Sequence, residues 1–188
     1  MLEILAETSL RRFTVEEYYR MTEVGLLSSD ERVELVDGIL YRMSPEGTRH
    51  AVAIDVVAEQ LRLPLQSRHH VRSQHPMAVS DDTEPQPDIA VVEASDPRAY
   101  LAGHPATALL VVEVAESSLA KDVSLKPRTY ARAGVPEYWV LSLVDNTLVV
   151  FRDPFESWYR ARLTLRRGDR IRLVAVADVE IEVSALFP

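Results

Sequence analysis

Two carboxylates stand where carboxylates are expensive. Asp88 opens the apolar run "PDIAVVE", and Glu113 sits inside "ALLVVEVA". The second segment is too apolar for a half-exposed strand and reads as one buried on both faces. A lone ionised carboxylate there costs several kcal/mol unless it is paired or bound to metal. Two such strands in one sheet can bring Asp88 and Glu113 together, and a hard divalent cation relieves their repulsion. Oxygen-only ligands favour Mg²⁺ or Mn²⁺ over zinc. Mg²⁺ keeps several waters and takes only one or two carboxylates, leaving room for phosphate oxygens. Such an ion activates water and neutralises phosphoryl charge, and a nearby lysine can orient the water or stabilise the transition state. The combination suits phosphodiester hydrolysis. The alternative for Glu113 is a buried structural ion pair with Arg128 or Arg132.

Lysine usage points to the same region. Of 21 basic residues only Lys121 and Lys126 are lysines, and both follow Glu113 closely. A compact ammonium and a guanidinium are not interchangeable. Seven arginines lie between Arg152 and Arg172. On alternating strand positions some could line one face and meet phosphates; the alternative is a solvated hairpin. The formal net charge of −8 argues against a broadly basic nucleic-acid coat, although net charge does not describe a patch.

The elements that must position these residues follow from local patterns. Thr14 to Glu17 reads as a capping box opening a helix through about Met21. "VELVDGILYRM" predicts a hairpin turning at Asp37-Gly38. Val52, Val56, Val57, Leu61 and Leu63 have helical spacing, with Pro64 ending or kinking that helix. Strands are expected over 71–74, 77–80, 89–93 and 108–115. Ser117 or Ser118 should cap the next helix and Gly134 close it. "EYWVLSLV" and "TLVVFRD" predict strands joined at Asp145-Asn146, and "YRARLTLRRGDRIRL" a hairpin turning at Gly168-Asp169. "VSALFP" suits a short docking tail. The expectation is an α/β (α+β) fold with a mixed central sheet flanked by helices. One domain over 1–188 is expected, its core at about 13–153 and a C-terminal β-hairpin and tail at 154–188.

Length and a 47% hydrophobic composition predict a globular chain. Without cysteines, disulfides, thiolate nucleophiles and Cys-based zinc sites are excluded. No run reaches the ~18 apolar residues of a membrane span. The start, "MLEILAETSLRRF", does not read as a signal peptide, so a cytoplasmic location is expected.

Asp88 in a Pro-Asp pair followed by Glu113 inside a strand resembles the PD-(D/E)XK nuclease superfamily. The wider pattern is "ELVDG", His50 at a helix start, "QPD", "VVEVAESS", then Asp122, Lys126, Tyr130 and "AGVPEYWVL". It resembles the Uma-type restriction endonuclease family from about Phe13 to Asp153. The resemblance implies a restriction endonuclease-like core and a divalent-metal nuclease site acting on DNA. By position Asp88 and Glu113 become the metal ligands, with the backbone carbonyl of Val114 or Glu34 assisting. The superfamily's lysine belongs two residues after the glutamate, where this chain has Ala115; the resemblance suggests Lys126 as its replacement. Pro127 leaves two arrangements open. Asp122 and Lys126 stack on one helix, or the helix starts at Pro127 with Lys126 on the capping turn. His50 would contact phosphate or shuttle protons, and Gln74 is a further polar candidate. A homodimer would let a small nuclease cut both strands of a duplex. The rivals are a non-catalytic nucleic-acid or protein interaction module that keeps the fold, and a metal-dependent hydrolase of small phosphoesters.

Overall fold

The computed structural model of the chain describes residues 10–28, 30–43, 46–65 and 67–188. Most of the N-terminal stretch tested for a signal peptide therefore lies outside the described residues. The first helix, α1 (Val15–Glu23), opens on the expected capping box. Thr14 accepts from the Glu17 amide and Glu17 accepts from the Thr14 amide. A hairpin follows, β1 (Val33–Val36) and β2 (Ile39–Arg42). Asp37 and Gly38 both take positive φ, as a two-residue turn between twisted strands requires.

Helix α2 (Thr48–Leu65) ends one residue after Pro64. Its buried side chains are Ala53, Ile54, Val57, Ala58, Leu61 and Leu65, while Val52 and Leu63 are exposed. The predicted face is thus rotated. Two alanines fill the tight contact with the sheet, and a pattern built on large apolar residues alone overlooks them.

The central sheet comprises β3 (His70–Ser73), β4 (Ile89–Val92), β5 (Leu110–Ala115), β6 (Glu137–Ser142), β7 (Thr147–Phe155) and β8 (Trp158–Arg166), in that spatial order. Only β5 and β6 run parallel. They are joined through α3 (Leu119–Ser124) and α4 (Lys126–Arg132), the crossover that a parallel pair demands. Gly134, with positive φ, follows α4 as expected. The sheet is therefore mixed and flanked by helices, as the sequence predicts. Its two faces support separate cores. Val112, Val114, Trp139 and Leu141 pack against Val57 and Leu61 of α2 and against the C-terminal Leu186. Val111, Ala115, Tyr138, Val140 and Phe151 pack against Tyr130 and Ala131 of α4.

Three local expectations need correction. Residues 77–80 do not join the sheet. Met77 and Ala78 bond to the Pro85 and Pro105 carbonyls and Val79 and Ser80 to that of Thr83, with one isolated bridge between Ser80 and Thr83. The segment 159–173 is not one hairpin. β8 pairs with β7, and the chain after Gly168 forms β9 (Arg170–Arg172), which pairs with β10 (Glu180–Glu182) in a separate sheet. Ser118 precedes α3 but makes no cap bond; its hydroxyl donates to Asp122 instead. The tail docks as expected: a 3-10 turn, Val183–Leu186, buries Val183 and Leu186. No helix among the described residues is long and apolar enough to cross a membrane.

Candidate active site

The register brings the two carboxylates together. β4 and β5 are antiparallel with Ile89 opposite Val112. One step further places Asp88 beside Glu113. Side chains alternate across a strand, so Glu113 shares a face with Val111 and Ala115, and Asp88 with Ala90. That face carries α4. Both carboxylates line a cleft of about 110 Å³, together with His50, Val114, Lys121, Asp122 and Lys126.

Glu113 is buried at every side, as its place in an all-apolar strand predicts. Its partners are not Arg128 or Arg132. Lys126 Nζ lies 2.7 Å from Oε1, and the Tyr130 hydroxyl donates to the same oxygen at 2.6 Å. Arg132 instead pairs with Asp37. The geometry follows from the crossover. Lys126 and Tyr130 stand one turn apart on α4, so both heads reach the same strand position. Pro127 is accommodated in the first turn of α4, where its missing N–H has no partner to lose. Leu125 joins the two helices, and Asp122 still lies 3.6 Å from Lys126 across that joint.

Asp88 Oδ2 accepts the Val114 amide at 2.7 Å and lies 3.4 Å from His50 Nε2. His50 Nε2 also donates to the Val114 carbonyl at 2.8 Å. The carbonyl proposed as a metal ligand is thus already engaged by His50. Glu34 lies just beneath the cleft. Its Oε1 accepts from Lys121 at 2.7 Å with Lys126 at 3.9 Å, and its Oε2 accepts the Gln86 amide at 3.3 Å. Gln74 does not line the cleft. Its side-chain amide donates to Glu46, which lies 3.5 Å from His50 Nδ1. His69 and His70 sit at β3, and among the described residues no three His, Cys, Asp or Glu side chains form a metal-binding group.

Charge in this cluster is strongly coupled. Glu113 is raised to about 8: burial drives it up, Lys126 pulls against that, and Asp88, Asp122 and Glu34 add to the rise. Burial also raises Asp122. Burial alone would lower the Lys126 ammonium, but Glu113, Glu34 and Asp122 outweigh it and hold the lysine charged. For Glu34, burial is overcome by Lys126 and Lys121, which keep it ionised. The Asp88 hydrogen bond raises His50 to about 9 against the opposing effect of burial.

The cleft also contains groups that spacing did not single out as site residues. Asp122 is buried within it, while Glu46, Glu116 and Ser118 line it. Lys121 lies half over the Tyr41 ring, 4.7 Å from its centroid. The scarcity of lysine in the chain is the one sequence signal that points to Lys121.

A structural neighbour shares this architecture: a "putative nuclease belonging to DUF820" from Anabaena variabilis ATCC 29413. It aligns with a TM-score of 0.73 and 15% identity over 93% of this chain and 97% of its own. At that identity the likeness is one of fold. No curated protein matches the chain. The family model Uma2, described as "Putative restriction endonuclease", matches residues 15–184, which span almost the whole chain. The chain belongs to the Uma2 family.

Proposed function

We propose that the chain is a metal-dependent endonuclease that hydrolyses DNA phosphodiester bonds at the cleft between Asp88 and Glu113. The observation that carries this reading is the pairing of two carboxylates on adjacent strands, beside a buried lysine, in one open cleft. Family membership and the nuclease-like fold support it.

The residues fit a water-rich divalent ion. Asp88 and Glu113 each have one oxygen, Oδ1 and Oε2, without a hydrogen-bond partner among the described residues. A pair of carboxylates suits Mg²⁺ or Mn²⁺, whose shell is completed by water and phosphate. When bound, such an ion would supply a water of lowered pKa and neutralise charge on the phosphoryl group.

The chain's own groups then divide the remaining work. Lys126 is held charged among carboxylates, so it suits electrostatic stabilisation of phosphoryl oxygens and not proton abstraction. His50, protonated against Asp88, suits donation to a phosphate or leaving oxygen. Glu34 tethers Lys121 and Lys126 and so positions both ammonium groups. One cleft per chain cuts one strand, and a homodimer is the simplest route to cutting two.

The test is cleavage of supercoiled plasmid with Mg²⁺ or Mn²⁺. Wild type should nick it, chelation should stop it, and Asp88→Asn should abolish it at unchanged fold. Absence of metal-dependent cleavage on plasmid, linear and single-stranded DNA would overturn the reading.

A further inference from the structure

The seven arginines between Arg152 and Arg172 fall into two groups in three dimensions. Arg152 is committed to Glu137 and to the Arg172 carbonyl, and Arg170 and Arg172 both pair with Glu180. Arg160 lies 3.9 Å from Asp153 and over the Phe155 ring. Arg162, Arg166 and Arg167 enter no ion pair among the described residues.

Arg162, Thr164 and Arg166 alternate along β8, the exposed edge strand of the sheet. They share one face, and their partners on β7 are Phe151, Val149 and Thr147. With Leu119 and Val123 of α3 they line a groove of about 430 Å³. The Arg162 guanidinium is steadied over the Phe151 ring, 5.5 Å from its centroid. One carboxylate, Asp145, stands at the groove and is engaged by the Ser142 hydroxyl. From Trp158 to Arg167 the chain carries four arginines and no carboxylate, against a formal net charge of −8 overall.

We infer that this groove is a docking path for the phosphate backbone of duplex DNA, with Arg162 and Arg166 as its phosphate contacts. Charge complementarity selects the occupant. In an acidic protein an unpaired arginine stripe attracts a polyanion, and hydroxyls of Thr147 and Thr164 add neutral donors to phosphate. A second copy of the chain is the poorer occupant, because the edge would set one arginine row against another. The position fits the proposed chemistry, on which the choice of DNA rests. Leu119 and Val123 face the groove while Lys121 and Asp122 face the cleft. The two concavities therefore flank α3, about 10 Å apart, or roughly three phosphates along one strand.

The test is binding of a short fluorescein-labelled duplex, followed by anisotropy in chelator so that no cleavage occurs. The variants are Arg162→Gln/Arg166→Gln and a control of equal charge change, Arg20→Gln/Arg98→Gln, all matched by thermal melting. The groove variant should bind about tenfold more weakly, and its plot of log affinity against log salt should be shallower by about two. The control should match wild type. Equal loss in the control, an unchanged groove variant, or no duplex binding by wild type would each overturn the docking path. So would retention of poly-glutamate without duplex, which would assign the stripe to an acidic protein. Metal-dependent cleavage with an unchanged groove variant would sink the path and leave the nuclease reading standing. Arginine-dependent binding with no cleavage under any metal would do the reverse.

Discussion

Lys126 is the charge on which the cleft balances. Its ammonium is buried and faces Glu113, Asp122 and Glu34. Removing one member of a buried ionic cluster strands the others. Lys126→Met should therefore lose about 3–5 kcal/mol in urea unfolding, and Mg²⁺ should restore part of it by replacing the missing positive charge. His50 gives a pH signature. Its value is raised to about 9 from 6.5, so its stabilisation is complete below pH 6.5 and is lost as pH rises through 9. Glu113, also raised, loses its contribution earlier, as pH rises from the ordinary carboxylate range through about 8. His50→Gln should lower stability most below about pH 6.5, flatten the decline between there and pH 9, and converge on wild type above it. Asp88 and Glu113 were legible as a pair because a buried acid in an apolar strand needs a partner or a cation, although Glu137, equally buried, meets that need with Arg152, Trp139 and the Val174 amide. The sequence did not reveal that Lys126, rather than an arginine, satisfies Glu113. That depends on how α4 crosses the sheet, which spacing along the chain cannot show.

At the scale of elements, the β1–β2 hairpin holds Glu34 under the cleft, and its turn is tightly constrained. A Cβ on Gly38 would lie 2.4 Å from the Arg12 Cβ, at a φ of +71°. Gly25 has a similar φ of +73° with open space around it. Gly25→Ala should cost about 1 kcal/mol from backbone strain alone, and Gly38→Ala distinctly more. Urea unfolding of the two variants separates the clash from the strain. Capping box and hairpin were both readable, because each rests on local chemistry. The false strand at 77–80 was not: a short apolar run between prolines satisfies strand periodicity whether or not a partner strand is near. Gly168 makes the turn its positive φ favours. The flanking strands belong to different sheets because β8 is already paired along its length with β7.

Across the whole molecule, the C-terminal segment closes the face of the sheet opposite the cleft. Glu137, fully buried, accepts from Trp139 Nε1 at 2.9 Å, from Arg152 and from the Val174 amide at 2.8 Å, tying the last strands to β6. Leu186 completes the core over α2. Leu186→Ala should cost about 2–5 kcal/mol by cavity formation yet leave metal affinity at the cleft unchanged, as measured by calorimetry.

In the proposed function Asp88 and Glu113 share one divalent ion. Titration of wild type, Asp88→Asn and Glu113→Gln with Mn²⁺ by calorimetry tests this directly. One ion should bind to wild type, with proton release near neutral pH, and neither variant should bind it with comparable affinity. No binding by wild type, or binding that survives in both variants, would contradict the account.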